Sequence, residues 1–266
     1  AHQTSVSLAA LSGAVVGAES ADRARRGREA VEVPPADYEV VLEPECVATI
    51  ALFLAAYGLN AKAVDEGLSA LRPGQERFDP AFWLIDDATA PDALGLPFDA
   101  EGTPKRRVDL VSAGTVASLA HDLRTAKKAG TISTGHGLGG SEGDVWGPLP
   151  INLGVSPGAQ TRSELIASVD RGLLVTTFNY CRVLDPRTLV VTGLTRNGTF
   201  LIENGEIAGA VKDLRFTQSF LAALAPDQLL GAGSEARFAD SEFGAGLVAA
   251  PPLRLAAWHF TGGARG

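Results

Sequence analysis

The chain has 266 residues, 45% of them apolar, and carries 23 basic against 31 acidic side chains, a net charge of −8. That length supports a sizeable core in one or two domains, and the apolar share excludes a disordered chain. The acidic balance argues against a nucleic-acid groove, which needs a basic footprint, and no apolar run approaches the ~18 residues of a membrane span.

Residues 4–11 roughly alternate polar and apolar side chains and read as a strand, with 13–17 as a flexible exit. Residues 21–31 form a charged helix or linker, ended by Pro34-Pro35 because proline cannot continue a helix. The region 13–37 reads as a boundary, dividing the chain into residues 1–35 and a main domain over 36–266. A strand over 38–42 leads into a helix that starts at Glu43-Pro44-Glu45, with acidic residues where the helix dipole favours them. Residues 46–57 are nearly all apolar, so this helix is expected to be buried on most sides, with Gly58 as its C-cap. A second helix is expected over 62–71 and a strand over 82–87. A hairpin follows, with arms at 105–111 and 115–119 around Ala113-Gly114. A short helix over 121–128 carries basic residues in its last turn and closes at Gly130.

Residues 131–147 are glycine-rich and read as a flexible surface loop, or as a loop in a ligand cleft with His136 as a donor. A strand over 151–155 precedes a capping-box-like Thr161-Arg162-Ser163-Glu164 and a helix over 165–170. The most specific stretch is 171–207. Its β-branched runs at 173–178 and 188–192 flank Asp185-Pro186-Arg187, a turn. Asn197-Gly198 and Asn204-Gly205 suit positions with φ > 0, so tight hairpins are expected at both. A strand over 211–217, a helix over 219–224, an irregular 229–243 and a strand over 253–260 complete the chain. The fold class is therefore α+β, a predominantly antiparallel sheet core with a few flanking helices.

The chemistry-bearing residues are sparse. The four histidines, His2, His121, His136 and His259, are too far apart for two to share a helix face, so no histidine-pair metal site is expected. The glycines around His136 lack the Lys and Ser/Thr of a phosphate loop, and Glu142 and Asp144 would repel phosphate. Two cysteines, Cys46 and Cys181, make no disulfide framework; a reducing compartment is the default, with one bridge as the alternative. Cys181 is read as a structural sheet cysteine, or as a nucleophile if a base stands near it in space. Asp86-Asp87 reads as a strand-end turn, and Lys105-Arg106-Arg107 as a solvated hairpin face. Methionine is absent and the first residue is Ala1, as expected of a chain that lacks part of its N-terminal region.

Several of these stretches together resemble the TldD/PmbA family, long labelled modulators of DNA gyrase and understood as metallopeptidases. The resemblance is carried by Phe98-Asp99-Ala100-Glu101-Gly102-Thr103-Pro104, Arg107-Val108-Asp109-Leu110-Val111, His121-Asp122 and Ser133-Thr134-Gly135-His136-Gly137. It continues through Asn152-Leu153, Pro157-Gly158, Gly172-Leu173-Leu174-Val175-Thr176 and Phe200-Leu201-Ile202-Glu203-Asn204-Gly205-Glu206-Ile207. It covers roughly 38–260 and implies a pair of subunits. The TldD type holds zinc on an HExxxH helix; the TldE/PmbA type lacks that motif. The equivalent helix here is 46–58, where Leu52 and Tyr57 stand in place of the histidines and Phe53 in place of the glutamate.

The resemblance thus implies a cytoplasmic, TldE-like subunit with no catalytic residue, metal or cofactor of its own. Its partner would be a TldD-type subunit holding zinc, and its substrate an unfolded peptide or small peptide-like molecule, with no nucleic acid and no membrane involved. Residues 1–35 would be the remnant of the family's N-terminal domain. Substrate-cleft candidates are Gly135, His136, Tyr57, Tyr180 and Cys181. The alternatives are a self-sufficient hydrolase using Cys181 or His136, and a binding protein acting on gyrase.

Overall fold

A computed structural model of the chain describes residues 1–244 and 246–263. Its strands are β1 (Asp37–Leu42), β2 (Leu84–Asp86), β3 (Val108–Ser112), β4 (Thr115–Val116), β5 (Asn152–Val155), β6 (Arg171–Asp185), β7 (Val190–Glu203), β8 (Glu206–Val211), β9 (Leu214–Ser219), β10 (Leu229–Ala232), β11 (Arg237–Ala239), β12 (Leu247–Ala250) and β13 (Leu253–Gly263). Its α-helices are α1 (Gly13–Arg26), α2 (Pro44–Phe53), α3 (Ala61–Asp65), α4 (Leu123–Ala129), α5 (Gly140–Trp146), α6 (Arg162–Ala167) and α7 (Phe220–Ala223).

β1 pairs in parallel with β6 and antiparallel with β13, while β6–β7, β7–β9 and β9–β13 are antiparallel. These strands therefore close into a ring, with β8 added to β7 and β10 to β13. A second sheet runs β11-β12-β5-β2-β3-β4, with β12–β5 its one parallel pairing. The fold is α+β and mostly antiparallel, as the sequence predicts. α2 packs against β6 of the ring and against β11 and β12 of the second sheet. All ten of its residues are buried, which is why it reads as apolar on every side. Pro44 sits at its first turn, where no backbone N–H is needed.

Several local expectations hold. Thr161 and Glu164 form a capping box on α6, and Gly130 closes α4 in the left-handed region at φ 66°; Asp122 and Thr125 add a capping box on α4 that is not among those expectations. Asp185-Pro186-Arg187 turns β6 into β7, and Asn204-Gly205 turns β7 into β8.

Others are corrected. Residues 4–11 form no strand: the segment holds only a 3-10 turn at Leu8–Ala10, because its alternating pattern meets no partner strand. The expected flexible exit at 13–17 is the start of α1, capped by the Ser12 side chain and held by Asp22–Arg26 and Glu19–Arg23 pairs one turn apart. The helix expected over 62–71 stops at Asp65, with Gly67 at φ 73° beyond it. Asn197-Gly198 is no hairpin. It is a bulge inside β7, with φ 61° at Asn197, because β7 stays paired with β6 on both sides of it. The strand expected over 211–217 is two, β8 and β9, broken at Lys212-Asp213. The stretch 229–243, expected to be irregular, contributes β10 and β11.

Candidate functional site

The site is built at the C-terminal end of α2. Past Phe53 the helix widens: the Leu59 N–H donates to Leu54 O at 2.7 Å, five residues back, closing a π-turn over Leu54–Gly58. In an α-helix, residues five apart lie roughly 140° apart around the axis. The wider turn instead brings Leu52 and Tyr57 to one cleft. Such turns recur at functional sites. Ser69 Oγ supports the end of the turn by donating to Gly58 O at 2.6 Å.

The cleft has a volume of about 490 Å³. Leu52, Phe53, Ala56 and Tyr57 form one wall; Leu138, Glu142, Trp146 and Leu149 form the opposite one; Phe243 closes an end. Buried Asn60 ties the two walls together. Its Nδ2 donates to Trp146 O at 2.8 Å and to Pro148 O at 3.0 Å, while its Oδ1 caps α3 by accepting from the Lys62 N–H at 2.9 Å. Phe243 is held from the other side, because the Cys181 N–H donates to Glu242 Oε2 at 2.7 Å. The aromatic side chains form a continuous run: Phe53–Phe243 at 5.4 Å and Phe53–Tyr57 at 5.6 Å are tilted pairs, and Tyr57–Trp146 at 6.1 Å is T-shaped.

The predicted site residues are distributed around this cleft rather than gathered in it. Tyr57 lines it. Burial raises its hydroxyl above the usual tyrosine value, against a smaller opposing effect from Arg182, so it stays protonated. Cys181 does not line the cleft; it is buried and carries a free thiol, as does Cys46. Burial, then the carboxylate of Glu242, push the Cys181 thiol up. That is the opposite of what a nucleophilic thiolate needs. Tyr180 is exposed, at φ 58°, with the Arg182 guanidinium 5.4 Å over its ring.

His136 is 1% exposed and paired with Asp86, Nε2 to Oδ2 at 3.0 Å, with Thr134 Oγ1 2.8 Å from its Nδ1. Its backbone carbonyl accepts from the Leu149 N–H at 2.9 Å, so it braces the cleft wall from behind. Gly135 turns there at φ 78°, and a Cβ would meet Pro104 O at 2.8 Å. The stretch 131–147 is thus not the flexible surface loop the glycines suggest. Residues 133–137 are buried and 140–146 are helical. The cleft-donor role for the His136 ring also fails, because both ring nitrogens are occupied inside the core. Nor is Lys105 a solvated hairpin residue: burial lowers its pKa, and its Nζ donates to Gly135 O at 2.8 Å.

Leu138, Glu142 and Trp146 lie in the 131–147 stretch that reads alternatively as a cleft loop, although no motif singles them out there; Leu149 and Phe243 escape sequence reasoning. The one signal available is the spacing of four between Leu138, Glu142 and Trp146, which puts Glu142 and Trp146 on one face of α5.

The donor set does not suit a zinc ion. Leu52 and Phe53 offer no ligand atom, and Tyr57 offers only a protonated hydroxyl. Among the described residues, no group of three or more His, Cys, Asp or Glu side chains stands close enough to hold a metal.

Residues 35–262 match the family described as PmbA/TldA metallopeptidase C-terminal domain. A protein named metalloprotease from Methanothermobacter thermautotrophicus is 25% identical over 228 residues, which is 84% of this chain and 48% of that protein. A metalloprotease TldD homolog from Buchnera aphidicola is 28% identical over 149 residues, 56% of this chain and 30% of its own length. The chain spans about half the length, or less, of these relatives. A solved Thermotoga maritima structure described as a modulator of a DNA gyrase superposes with TM-score 0.84 at 23% identity, over 97% of this chain and 57% of that one. TldE from Thermococcus kodakarensis superposes with TM-score 0.80 at 19% identity, over 94% and 55%. These two likenesses show the shared fold.

Proposed function

The chain belongs to the PmbA/TldD metallopeptidase family, and from that premise we propose that it is the non-catalytic, TldE-like subunit of a heterodimeric TldD/TldE-type zinc metallopeptidase. The observation that carries the proposal is the cleft at the π-turn. The π-turn brings positions 52 and 57 to one cleft, the positions that the family resemblance aligns with the two histidines of HExxxH, and positions 52, 53 and 57 are filled with Leu, Phe and Tyr. Zinc and the activated water would come from a TldD-type partner. This chain would supply an apolar wall of the chamber that takes unfolded peptides or small peptide-like molecules, with extended backbone adding to a sheet edge. We place the pair in the cytoplasm, a reading supported by two free thiols in one chain.

Peptidase activity on an unstructured substrate tests this, measured for the chain alone and after mixing with a TldD-type protein from the same genome. Chelator-sensitive cleavage only in the mixture, with co-elution of the two chains, is the expected result. Chelator-sensitive cleavage by the chain alone overturns the proposal.

A further inference from the structure

The cleft carries a feature that an apolar peptide wall does not require. Glu142 is the one charged residue that lines it among the described residues, and there it makes no ion pair or hydrogen bond. The neighbouring charges are all engaged. Asp144 meets Arg124 at 3.5 Å, Lys62 meets Glu66 at 2.9 Å, and Arg182 meets Glu242 at 4.0 Å while stacking on Tyr180. Trp146 and Phe243 are 43% and 49% exposed, so aromatic surface faces the opening.

The faces of aromatic rings carry negative charge density and attract organic cations, arginine and lysine among them. An unpaired carboxylate among such rings adds to that field, and the chain's net charge of −8 draws cations toward the surface in general. The alkyl stems of lysine and arginine are themselves apolar enough to lie along the rings. A purely aliphatic side chain would use the rings and leave Glu142 idle; an acidic one would be repelled by it.

We propose that the cleft is a specificity pocket for a basic residue of a bound peptide, with the lysine or arginine stem against Tyr57 and Trp146 and the charge held by Glu142. The inference rests on the peptide-wall reading above and names the substrate class within it.

The test uses the 266-residue chain and fluorescently labelled, unstructured hexapeptides that differ at one central position: lysine, arginine, norleucine or glutamate. Lysine and arginine peptides are expected to bind roughly fivefold more tightly than the norleucine peptide, from one exposed carboxylate at the cleft together with ring contacts. Glu142→Gln should bring the lysine peptide down to the norleucine level and leave the norleucine peptide unchanged. Trp146→Ala should weaken all but the glutamate peptide. Equal binding of lysine and norleucine peptides overturns the inference, as does a lysine preference that survives Glu142→Gln, or no binding by any peptide. The failures are separable. A chain that pairs with a TldD-type protein but shows no basic preference loses this inference and keeps the subunit reading. A chain that shows the preference but is active alone loses the subunit reading and keeps this one.

Discussion

Two aromatic clusters meet at the end of α2, and they differ only in what covers them. On the ring side, Phe178 stacks on Trp258 at 5.0 Å and 20°, Phe216 lies 4.6 Å from Phe178, and Phe220 lies 5.7 Å from Trp258. All four are at most 1% exposed. On the other side stand Phe53, Tyr57, Trp146 and Phe243, continuous with the first cluster through a Phe53–Phe220 contact at 5.7 Å. The first is sealed because β6, β9 and β13 close around it. The second is open because the walls around the π-turn leave a cleft between them. Residue type alone does not decide which cluster is core and which is site; the closure of the ring does.

If that contrast is right, truncations on the two sides should behave differently. Trp258→Ala removes a sealed ring and should cost about 3–5 kcal/mol in chemical denaturation, enough to leave little folded protein. Phe178→Ala gives a second reading of the same cluster at similar cost. A loss below ~1 kcal/mol at both would mean that the ring side is not closed.

Next in size is the buried pair behind the cleft. Asp86→Asn should cost roughly 3 kcal/mol, because it leaves His136 buried without its charged partner. Burial by itself would raise the Asp86 carboxyl. The hydrogen bond and charge of His136, the Asn152 N–H and the charge of Lys105 outweigh it and hold the carboxyl below its usual value. A depressed folded-state pKa contributes stability above the unfolded value of about 3.9 and loses it as pH falls through the folded value. Denaturation midpoints should therefore drop below about pH 4 in the natural chain, and less steeply in the Asp86→Asn variant.

Smaller still is the effect at Cys181. Its buried, up-shifted thiol should resist an alkylating reagent in the folded chain and react, together with Cys46, once the chain is unfolded. Cys181→Ala should leave the peptidase activity of a mixture with a TldD-type partner intact; its loss without loss of fold would restore the nucleophile. The least effect on stability belongs to the open cluster. Trp146→Ala and Glu142→Gln should change it by less than about 1 kcal/mol while altering peptide binding. A large destabilisation by Trp146→Ala would make that cluster a second core and erase the contrast.

The sequence discloses the fold where local chemistry is sufficient. The capping box at Thr161, the glycine stop at Gly130, the turns at Pro186 and Asn204, and the all-apolar α2 are each settled within a few residues. It misleads where distant pairing decides. Asn197-Gly198 has the same φ > 0 chemistry as Asn204-Gly205, but β7 remains paired with β6 on both sides of it, so one dipeptide bulges and the other turns. The site follows the same division. Tyr57 is legible because it sits on an identifiable helix. His136 looks mobile between glycines because its partner, Asp86, is 50 residues away in sequence. Trp146 and Phe243 reach the cleft through ring contacts to Tyr57 and Phe53 and through the long-range hydrogen bonds of Asn60 and Glu242, contacts that no local pattern announces.

The most direct test of the central claim is the zinc content of the purified 266-residue chain, measured by elemental analysis after incubation with zinc and gel filtration. Leu52 and Phe53, which offer no ligand atom, and Tyr57, which offers only a protonated hydroxyl, predict that no stoichiometric zinc is retained. One zinc per chain, lost again when a histidine or cysteine is replaced, would contradict that claim and show a metal centre assembled elsewhere in the chain.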